Sequence, residues 1–277
     1  MSVRRCAILT IGFEILQGRI VDTNAAYIAK KLYALGHQVA VKISVGDRAE
    51  DIMNALRASI EVFDCDTILT TGGLGPTPDD ITLECIARFF NLPLEVNEEA
   101  LKDIEAKYRE RGLELTPSRI KMAKLPRGAI PLLNPVGIAP GIWLETQYRG
   151  KDVTIISLPG VPKEMIAIFE KYVEPKLRIP SRQLIEASVA IRPCRESDIA
   201  EILKEFNKRY PQIYVKTHPY GHEVEAPSIQ IYMSLYASNS REGLELCQEA
   251  KTFLLKRISS LHPNISIELL KDCSVAN

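Results

Sequence analysis

The chain has 277 residues, 46% of them hydrophobic and 25% charged, and its 35 basic residues balance its 35 acidic ones. This composition is typical of a globular protein, and the length is enough for two domains of about 150 residues each. A formal charge of zero excludes the overall positive field that gathers nucleic acid or an anionic membrane. The sequence has no apolar run of about 18 residues, so we expect no membrane partner.

None of the six cysteines lies two residues from another, so the spacings of zinc and thioredoxin-type sites do not occur. We interpret Cys6, Cys65 and Cys85 as small core residues, because they lie in or beside apolar runs. Dispersed cysteines favour a reducing compartment over a disulfide framework. Residues 1–5 lead directly into an apolar strand without a signal peptide, so we expect a cytoplasmic protein.

The first 90 residues alternate apolar runs with segments of helical periodicity. The predicted elements are strand 5–11, a helix from about 22 to 35, strand 38–45, helix 49–62, strand 67–71 and helix 79–90. This order predicts a parallel sheet with helices on both faces. Ligands bind beyond the carboxyl ends of the strands in such sheets, so the turns that follow the strands are the candidate site.

The remaining sequence changes rhythm after a proline-containing linker. The elements predicted before the linker are helices 97–112 and 116–123, strands 129–133, 141–147 and 152–158, and a helix that starts within residues 159–165, with proline in its first turn, and ends near Tyr172. Those predicted after it are strand 184–192, helix 195–209, strands 212–217 and 228–237, helix 240–260 and a last strand at 264–269. The sequence thus predicts domains at 1–177 and 178–277, the second a small α+β unit.

The most informative segment is residues 70–82, TTGGLGPTPDDIT, where a strand enters a glycine-rich turn. Bare backbone N–H groups at such a turn, together with a helix dipole, usually attract phosphate. Three glycines within four residues, Gly72, Gly73 and Gly75, supply either conformational freedom or close approach of a ligand.

Two adjacent carboxylates at the predicted helix start would repel a phosphate unless a divalent cation lay between them. Asp79 and Asp80 therefore indicate a metal-assisted site, with Asp80 the better metal ligand and Asp79 suited to a cap or to orienting water. The alternative is structural, because Thr77 could be the N-cap and Pro78 the first helical residue. Both interpretations stay open at this point.

The turns after other strands carry further candidates, each with an ordinary structural alternative. Glu14 follows the first strand and could instead be a solvated loop acid, and Asp47 follows the second and could be a turn residue. The segment 22–24, Asp-Thr-Asn, is favoured as a helix cap over a ligand. Segments 134–141 and 159–164 pack glycine and proline closely, which either shapes a binding site or makes a tight turn.

Several common enzyme motifs are absent from the sequence. It has no P-loop, no Gly-x-Ser-x-Gly nucleophile elbow and no dinucleotide fingerprint after the first strand. Ordinary NTPase, serine hydrolase and dehydrogenase chemistry are therefore disfavoured.

Taken together, these motifs resemble the CinA family of competence/damage-inducible proteins, whose N-terminal module is similar to the molybdopterin-binding MogA, MoaB and MoeA domains. The resemblance covers about residues 5–175. It implies a three-layer α/β/α fold with a mostly parallel sheet, and a homo-oligomer, with a dimer favoured over a trimer. Residues 178–277 resemble, more weakly, the KH-like domain of the family. The amidase domain of full-length members is not expected in a chain of this length.

The resemblance also implies a function and a site. We expect metal-dependent hydrolysis of the diphosphate of ADP-ribose or a related nucleotide sugar, giving AMP and ribose 5-phosphate. Asp80 and Asp47 would hold Mg²⁺, Mn²⁺ or Co²⁺, and Glu14 or Asp79 would orient the water. Phe13 stands where the family commonly has an acid, which would weaken metal binding. The expected substrate-binding residues are Gly72, Gly73, Gly75, Thr77, Asn134, Gly137, Ala139, Pro140, Gly141, Gly160, Lys163 and Glu164.

Two other functions are weighed against this hydrolase. The alternative is a molybdopterin-binding protein of molybdenum-cofactor metabolism without pyrophosphatase activity. A nucleic-acid partner is disfavoured, because KH domains clamp nucleic acid with a Gly-x-x-Gly loop. The only glycines beyond residue 178 are Gly221 and Gly243.

Overall fold

The structure is a computed structural model that describes residues 2–219, 227–261 and 263–276. It separates into two compact units, the first formed by Met1–Tyr33 with His37–Arg178 and the second by Ala34–Gly36 with Ile179–Asn277. The domain bounds 1–177 and 178–277 stay a prediction about independently folding parts. Gly221, one of the two glycines beyond residue 178, lies outside the described residues.

The first unit is built on a six-stranded, mostly parallel sheet, as the sequence predicts. The described residues of this unit form eight strands, six of them in this sheet: β1 (Arg5–Ile11), β2 (Gln38–Val45), β3 (Thr67–Thr71), β4 (Leu94–Val96), β5 (Lys124–Pro126), β6 (Ile130–Leu132), β7 (Gly141–Tyr148) and β8 (Lys151–Leu158). The sheet order is β2-β1-β3-β8-β7-β6, and β4 pairs with β5 separately. The pairs β1–β2, β1–β3 and β3–β8 are parallel, whereas β7 runs antiparallel to both its neighbours.

Helices flank this sheet and cover its apolar side chains. They are α1 (Phe13–Leu16), α2 (Thr23–Ala34), α3 (Ala49–Glu61), α4 (Thr82–Phe89), α5 (Glu98–Glu110), α6 (Pro117–Lys121), α7 (Pro162–Ile168), a π-helical turn (Phe169–Val173) and α8 (Glu174–Leu177). Alternate residues of β1 face opposite sides of the sheet. Leu9 and Ile11 accordingly pack with Leu56 of α3 and Ile86 of α4 in one core cluster. Burial on both faces explains why the central strand β1 is a nearly continuous apolar run.

The second unit has the element order β-α-β-β-α-β. Its elements are β9 (Gln183–Arg192), α9 (Glu196–Arg209), β10 (Tyr214–Pro219), β11 (Ile229–Ala237), α10 (Ser240–Leu261) and β12 (Ser266–Val275). The strand pairings among the described residues of this unit are all antiparallel, in the order β10-β11-β9-β12. This is a ferredoxin-like arrangement. The expected α+β class is confirmed, and the KH-like detail is not.

The cysteines follow their predicted environments except for one pair. Cys6, Cys65 and Cys85 are buried free thiols, and burial raises the pKa of the Cys65 thiol to about 11, so it stays protonated and unreactive. Cys247 of α10 and Cys273 of β12, however, form a disulfide. The expectation of wholly reduced cysteines is therefore wrong for this pair. Its 26-residue separation gave no local sequence signal, because only folding brings the two together.

The described helices include none with both the length and the apolar character needed to cross a bilayer.

Candidate functional site

A cleft of about 800 Å³ opens in the first unit, beyond the carboxyl ends of β1, β3 and β8. A volume of this size suits a drug-sized small molecule. Its walls are formed by the segments that follow these three strands and by the loop that precedes β7. Single residues in the turn after β2 and near the C-terminal end of α5 complete them. The described lining residues are Thr10–Ile11–Gly12, Glu14, Ile15, Ile20–Asn24, Asp47, Thr71–Pro76, Asp79, Asp80, Tyr108, Arg111, Met122, Val136–Ala139, Pro159–Pro162 and Glu164.

Most of the predicted site residues lie along this cleft. Those that line it are Glu14, Asp47, Gly72, Gly73, Gly75, Asp79, Asp80, Gly137, Ala139, Gly160 and Glu164. The five that do not are Thr77, Asn134, Pro140, Gly141 and Lys163. Gly141 begins β7, and a Cβ there would lie 2.6 Å from the carbonyl oxygen of Ser157, so this glycine serves strand packing.

The glycine turn is shaped by close backbone packing. Gly72 has a φ of +96°, and its N–H donates to the carbonyl of Leu158 over 3.1 Å. A Cβ on Gly72 would overlap the backbone oxygen of Ile11, so this position requires glycine both for its conformation and for space. A Cβ on Gly160 would lie 3.4 Å from the Cα of Gly72, which places these two loops side by side.

The helix start predicted after this turn is displaced. α4 begins at Thr82 with Ile81 as its N-cap, so neither Thr77 nor Asp79, the two predicted caps, caps a helix. Instead the Asp80 carboxylate accepts hydrogen bonds from the backbone N–H of Thr77, over 2.9 Å, and from the Thr77 hydroxyl. These hydrogen bonds close residues 77–80 into a turn. A short Asp side chain can accept from a nearby backbone N–H in a turn just as it does at the start of a helix.

The second predicted acid, Asp47, is held by the loop after β1. Its carboxylate accepts from the backbone N–H of Phe13 over 3.0 Å. Burial raises the pKa of Asp47, and the negative charges of Glu14 and Asp79 raise it further, whereas the Phe13 hydrogen bond opposes the change. The Phe13 ring packs against Gly46, where an added Cβ would lie 2.5 Å from it. Phe13, which stands where the family commonly has an acidic residue, thus packs against the loop that carries Asp47.

Asn134 organises the loop that forms the opposite wall. It is 1% exposed, and its side-chain amide donates to the carbonyl of Ala139 (3.0 Å) and to the Glu164 carboxylate (2.7 Å). Its side-chain oxygen accepts from the backbone N–H groups of Val136 (3.0 Å) and Gly137 (2.7 Å). Asn134 was predicted to bind substrate, but the structure uses all of its hydrogen-bonding groups to hold the cleft wall and to orient Glu164.

The segment 22–24 caps α2, as the sequence favours. One oxygen of Asp22 accepts from the N–H of Ala25 over 2.9 Å, and the other accepts from the Thr10 hydroxyl over 2.6 Å. Asn24 also donates to the carbonyl of Gly160 over 2.8 Å. Both residues line the cleft as well, so the cap and the cleft wall are the same segment.

Tyr108, Arg111 and Met122 line the cleft without any sequence signal that could have indicated it. They belong to or adjoin α5 and α6, which lie far along the chain from the motif turns. The guanidinium of Arg119 stacks over the Tyr108 ring at 4.2 Å from its centroid. Only tertiary packing brings this region to the cleft.

The cleft is strongly acidic. Its described lining carries six carboxylates (Glu14, Asp22, Asp47, Asp79, Asp80 and Glu164) and one cation, Arg111. Across the described part of the chain, no group of three or more histidine, cysteine, aspartate or glutamate side chains is placed to hold a metal ion. The walls therefore offer hydrogen-bond acceptors to a ligand, and do not by themselves assemble a metal centre.

Comparison with known proteins relates this unit to one family. The sequence profile of the family described as "Probable molybdopterin binding domain" matches residues 7–179. A protein of Pyrobaculum calidifontis is 45% identical over 262 residues, which covers 94% of this chain and 98% of the relative. One of Aeropyrum pernix is 38% identical over 266 residues, covering 95% and 97%.

The chain is also similar to a solved structure. The crystal structure of the protein CinA from Thermoplasma acidophilum, of unknown function, is 42% identical and superposes with a TM-score of 0.56. The similarity covers 63% of this chain and 98% of that one. It supports the resemblance to CinA inferred from the motifs of the first unit.

The predicted hydrolysis of ADP-ribose is wrong. The matching family is described by molybdopterin binding, and the similar CinA structure has no known function. The predicted description as a metal-binding hydrolase is therefore unsupported, and the alternative, molybdopterin binding, agrees better with the family.

The extent of the match is decisive for membership. It spans more than half of the chain and includes every described residue that lines the cleft. The chain therefore belongs to the family of probable molybdopterin binding domains and is CinA-like in its first unit.

Proposed function

We propose that the cleft of the first unit binds molybdopterin or a closely related pterin. The observation that carries the proposal is that the family match, residues 7–179, contains the whole described lining of the cleft. The proposal is of binding alone, because nothing in the geometry assigns a bond-making or bond-breaking step.

The chemistry of the walls supports a pterin. A pterin ring carries an amino group and a ring N–H on one edge, and both are hydrogen-bond donors. Six carboxylates line the cleft, and each is an acceptor when ionised. An acidic wall therefore favours a neutral, donor-rich heterocycle over a ligand that presents only anionic oxygens.

The phosphate of molybdopterin needs a different part of the cleft. Arg111 is the one cation in the described lining, and the backbone of the Gly72–Gly75 turn borders the same space. Guanidinium and backbone N–H groups are the usual partners of phosphate oxygens. We therefore assign the phosphate to the side of the cleft between this turn and Arg111, where the divalent cation proposed below would offset the negative charges of Asp79 and Asp80.

A divalent cation, Mg²⁺, Mn²⁺ or Co²⁺, is a further proposal at this cleft. Mg²⁺ is commonly held by one or two carboxylates together with ligand phosphates. The protein ligands that we propose for this shared mode are Asp47 and Asp80, which both line the cleft. Calorimetric titration with Mg²⁺ in the presence and absence of the pterin tests it.

The experiment for the proposed function is equilibrium dialysis of the full chain against molybdopterin under anaerobic conditions. We expect one bound pterin per chain. Glu164→Gln, which removes a lining carboxylate, should weaken binding about tenfold, because a hydrogen bond to a charged group contributes about 1.5–3 kcal/mol. Glu98→Gln is the matched control, since Glu98 is an exposed acid of α5 outside the lining. Absence of bound pterin, or equal losses in both variants, refutes the proposal.

A homo-oligomer, with a dimer favoured over a trimer, stays a proposal from the family resemblance. Sedimentation equilibrium of the full chain measures it directly.

A further inference from the structure

Two buried polar side chains in the cleft wall lack a hydrogen-bond partner. The side-chain oxygen of Asn24 and the hydroxyl of Thr71 are unpaired among the described residues, although these residues are only 7% and 1% exposed. Buried polar atoms are nearly always paired in proteins, because leaving one unpaired costs free energy. Both residues line the cleft, where a ligand could supply the missing partner.

A continuous set of contacts places these two side chains near each other. The Asn24 amide donates to the Gly160 carbonyl over 2.8 Å. A Cβ on Gly160 would lie 3.4 Å from the Cα of Gly72, and Gly72 directly follows Thr71. Across the sheet, Thr71 of β3 pairs in register with Thr10 of β1. Asn24 and Thr71 thus belong to one corner of the cleft.

The chemistry of this corner is restricted by the bonds already made there. The Gly160 carbonyl can only accept, so it fixes the Asn24 amide with its NH₂ group engaged and its oxygen free. Asp22, beside it, uses its two oxygens for the Thr10 hydroxyl and the Ala25 N–H. The corner therefore offers an acceptor at Asn24, a hydroxyl that can donate or accept at Thr71, and a negative charge nearby.

We propose that Asn24 and Thr71 form the subsite that recognises the hydrogen-bonding edge of the ligand's heterocycle. The Asn24 oxygen accepts from an amino or ring N–H group, and the Thr71 hydroxyl bonds to the next polar atom of the same edge. A fully ionised phosphate is disfavoured in this corner, because it has no proton to donate to Asn24 and is repelled by Asp22. The inference rests on the proposed pterin binding, and it places the heterocycle of the ligand, and not its phosphate, next to the start of α2.

The neighbouring residue supplies a matched control. Thr70 is also fully buried, and its hydroxyl is likewise unpaired among the described residues. Successive side chains of a strand point to opposite faces of the sheet. Thr70 lies in register with Ser157 of β8 and is absent from the described lining. Replacing either threonine by valine removes one unpaired hydroxyl at constant shape, but only Thr71 contacts the cleft.

The experiment is a titration of the wild-type chain, Thr71→Val and Thr70→Val with pterin, with thermal unfolding of each free protein. We expect Thr71→Val to bind about tenfold more weakly than wild type, without a lower unfolding midpoint, since no bond of the free protein is lost. Thr70→Val should bind as wild type does. Thr71→Ser, which restores a hydroxyl, should recover most of the affinity.

A second ligand keeps the inference testable if Thr71→Val does not fold. The probe is 4-oxopteridine, which lacks the 2-amino donor of pterin, and we expect wild type to bind it about tenfold more weakly than pterin. Equal binding of pterin by wild type and Thr71→Val, or equal binding of both probes by wild type, overturns the subsite alone. A wild-type chain that binds no pterin refutes the proposed function, and the subsite falls with it.

Discussion

Replacing Asn134 by alanine should both destabilise the first unit and weaken ligand binding. The side chain is buried and makes four hydrogen bonds, three to backbone groups of the 134–141 loop and one to the Glu164 carboxylate. Asn134→Ala removes the hydrogen bond that each of these four partner groups makes with the side chain. The loop then loses the bonds that hold it as a cleft wall, and Glu164 loses the group that orients it.

The magnitude follows from these bonds. A neutral hydrogen bond contributes about 1 kcal/mol and one to a charged group about 2 kcal/mol, so the four bonds contribute about 5 kcal/mol. Val136 is 55% exposed, so water replaces part of this, and we expect a loss of about 3–5 kcal/mol. For a unit of this size, the midpoint of thermal unfolding should fall by roughly 6–20 °C.

The assay is differential scanning calorimetry of Asn134→Ala beside Asn54→Ala. Asn54 is an exposed residue of α3 that accepts one hydrogen bond from Arg57, so its variant should change stability by less than about 0.5 kcal/mol. Asn134→Asp keeps the acceptor bonds but places a second carboxylate against Glu164, and it too should be destabilised. An Asn134→Ala midpoint within 2 °C of wild type, a tolerance of about 1 kcal/mol, would refute the described network.

Three further predictions concern other parts of the structure. Gly72→Ala should destabilise the first unit by at least about 2 kcal/mol, because it adds a Cβ at positive φ against a backbone oxygen. The control Gly160→Ala should change stability little, because its Cβ meets only ordinary contact distances. Denaturant unfolding compares the two variants, and equal losses of stability would contradict the geometry of the turn. Asp47 has a raised pKa in the folded protein, so the native state holds more protons than the unfolded chain and stability falls as pH rises from the ordinary aspartate pKa through the raised one. The stability of Asp47→Asn should equal that of wild type below this pH window and exceed it above the window. Parallel pH profiles of the unfolding midpoint for the two proteins would contradict this prediction. Cys247→Ser should destabilise the second unit by about 2–4 kcal/mol through loss of its disulfide, measured by unfolding under non-reducing conditions; no change would show that the bond does not form in solution.

Much of the fold could be predicted because its signals are local. The strands at Arg5–Ile11, Gln38–Val45 and Thr67–Thr71 have the bounds expected from their apolar runs. Alternation of strands with amphipathic helices then predicts a parallel sheet, and the pairs β1–β2, β1–β3 and β3–β8 are parallel. The short strands Leu94–Val96 and Lys124–Pro126 were missed, because three residues carry no measurable periodicity and their pairing depends on contacts distant in sequence.

The site was predictable only in part, and for the same reason. Residues after the parallel strands could be placed at one edge from topology alone, and Glu14, Asp47 and Asp80 do line one cleft. Asn134 was assigned to the ligand because a polar residue in a glycine-containing loop fits binding and loop construction equally well. Arg111 carried no signal, since only packing of α5 brings it to the cleft.

Helix boundaries next to turns were the least predictable feature. Thr77 through Asp80 has the residue types of a capped helix start, yet the structure uses them for a separate turn before Thr82. The same side-chain-to-backbone hydrogen bonds stabilise both arrangements, so composition does not distinguish them.

The most direct measurement of the central claim is a crystal structure of the full chain grown anaerobically with molybdopterin. The account predicts pterin density in the cleft between the Gly72–Gly75 turn and the 134–141 loop, with the ring edge at Asn24 and the phosphate toward Arg111. Pterin bound elsewhere on the chain, or an empty cleft at saturating ligand, would contradict it.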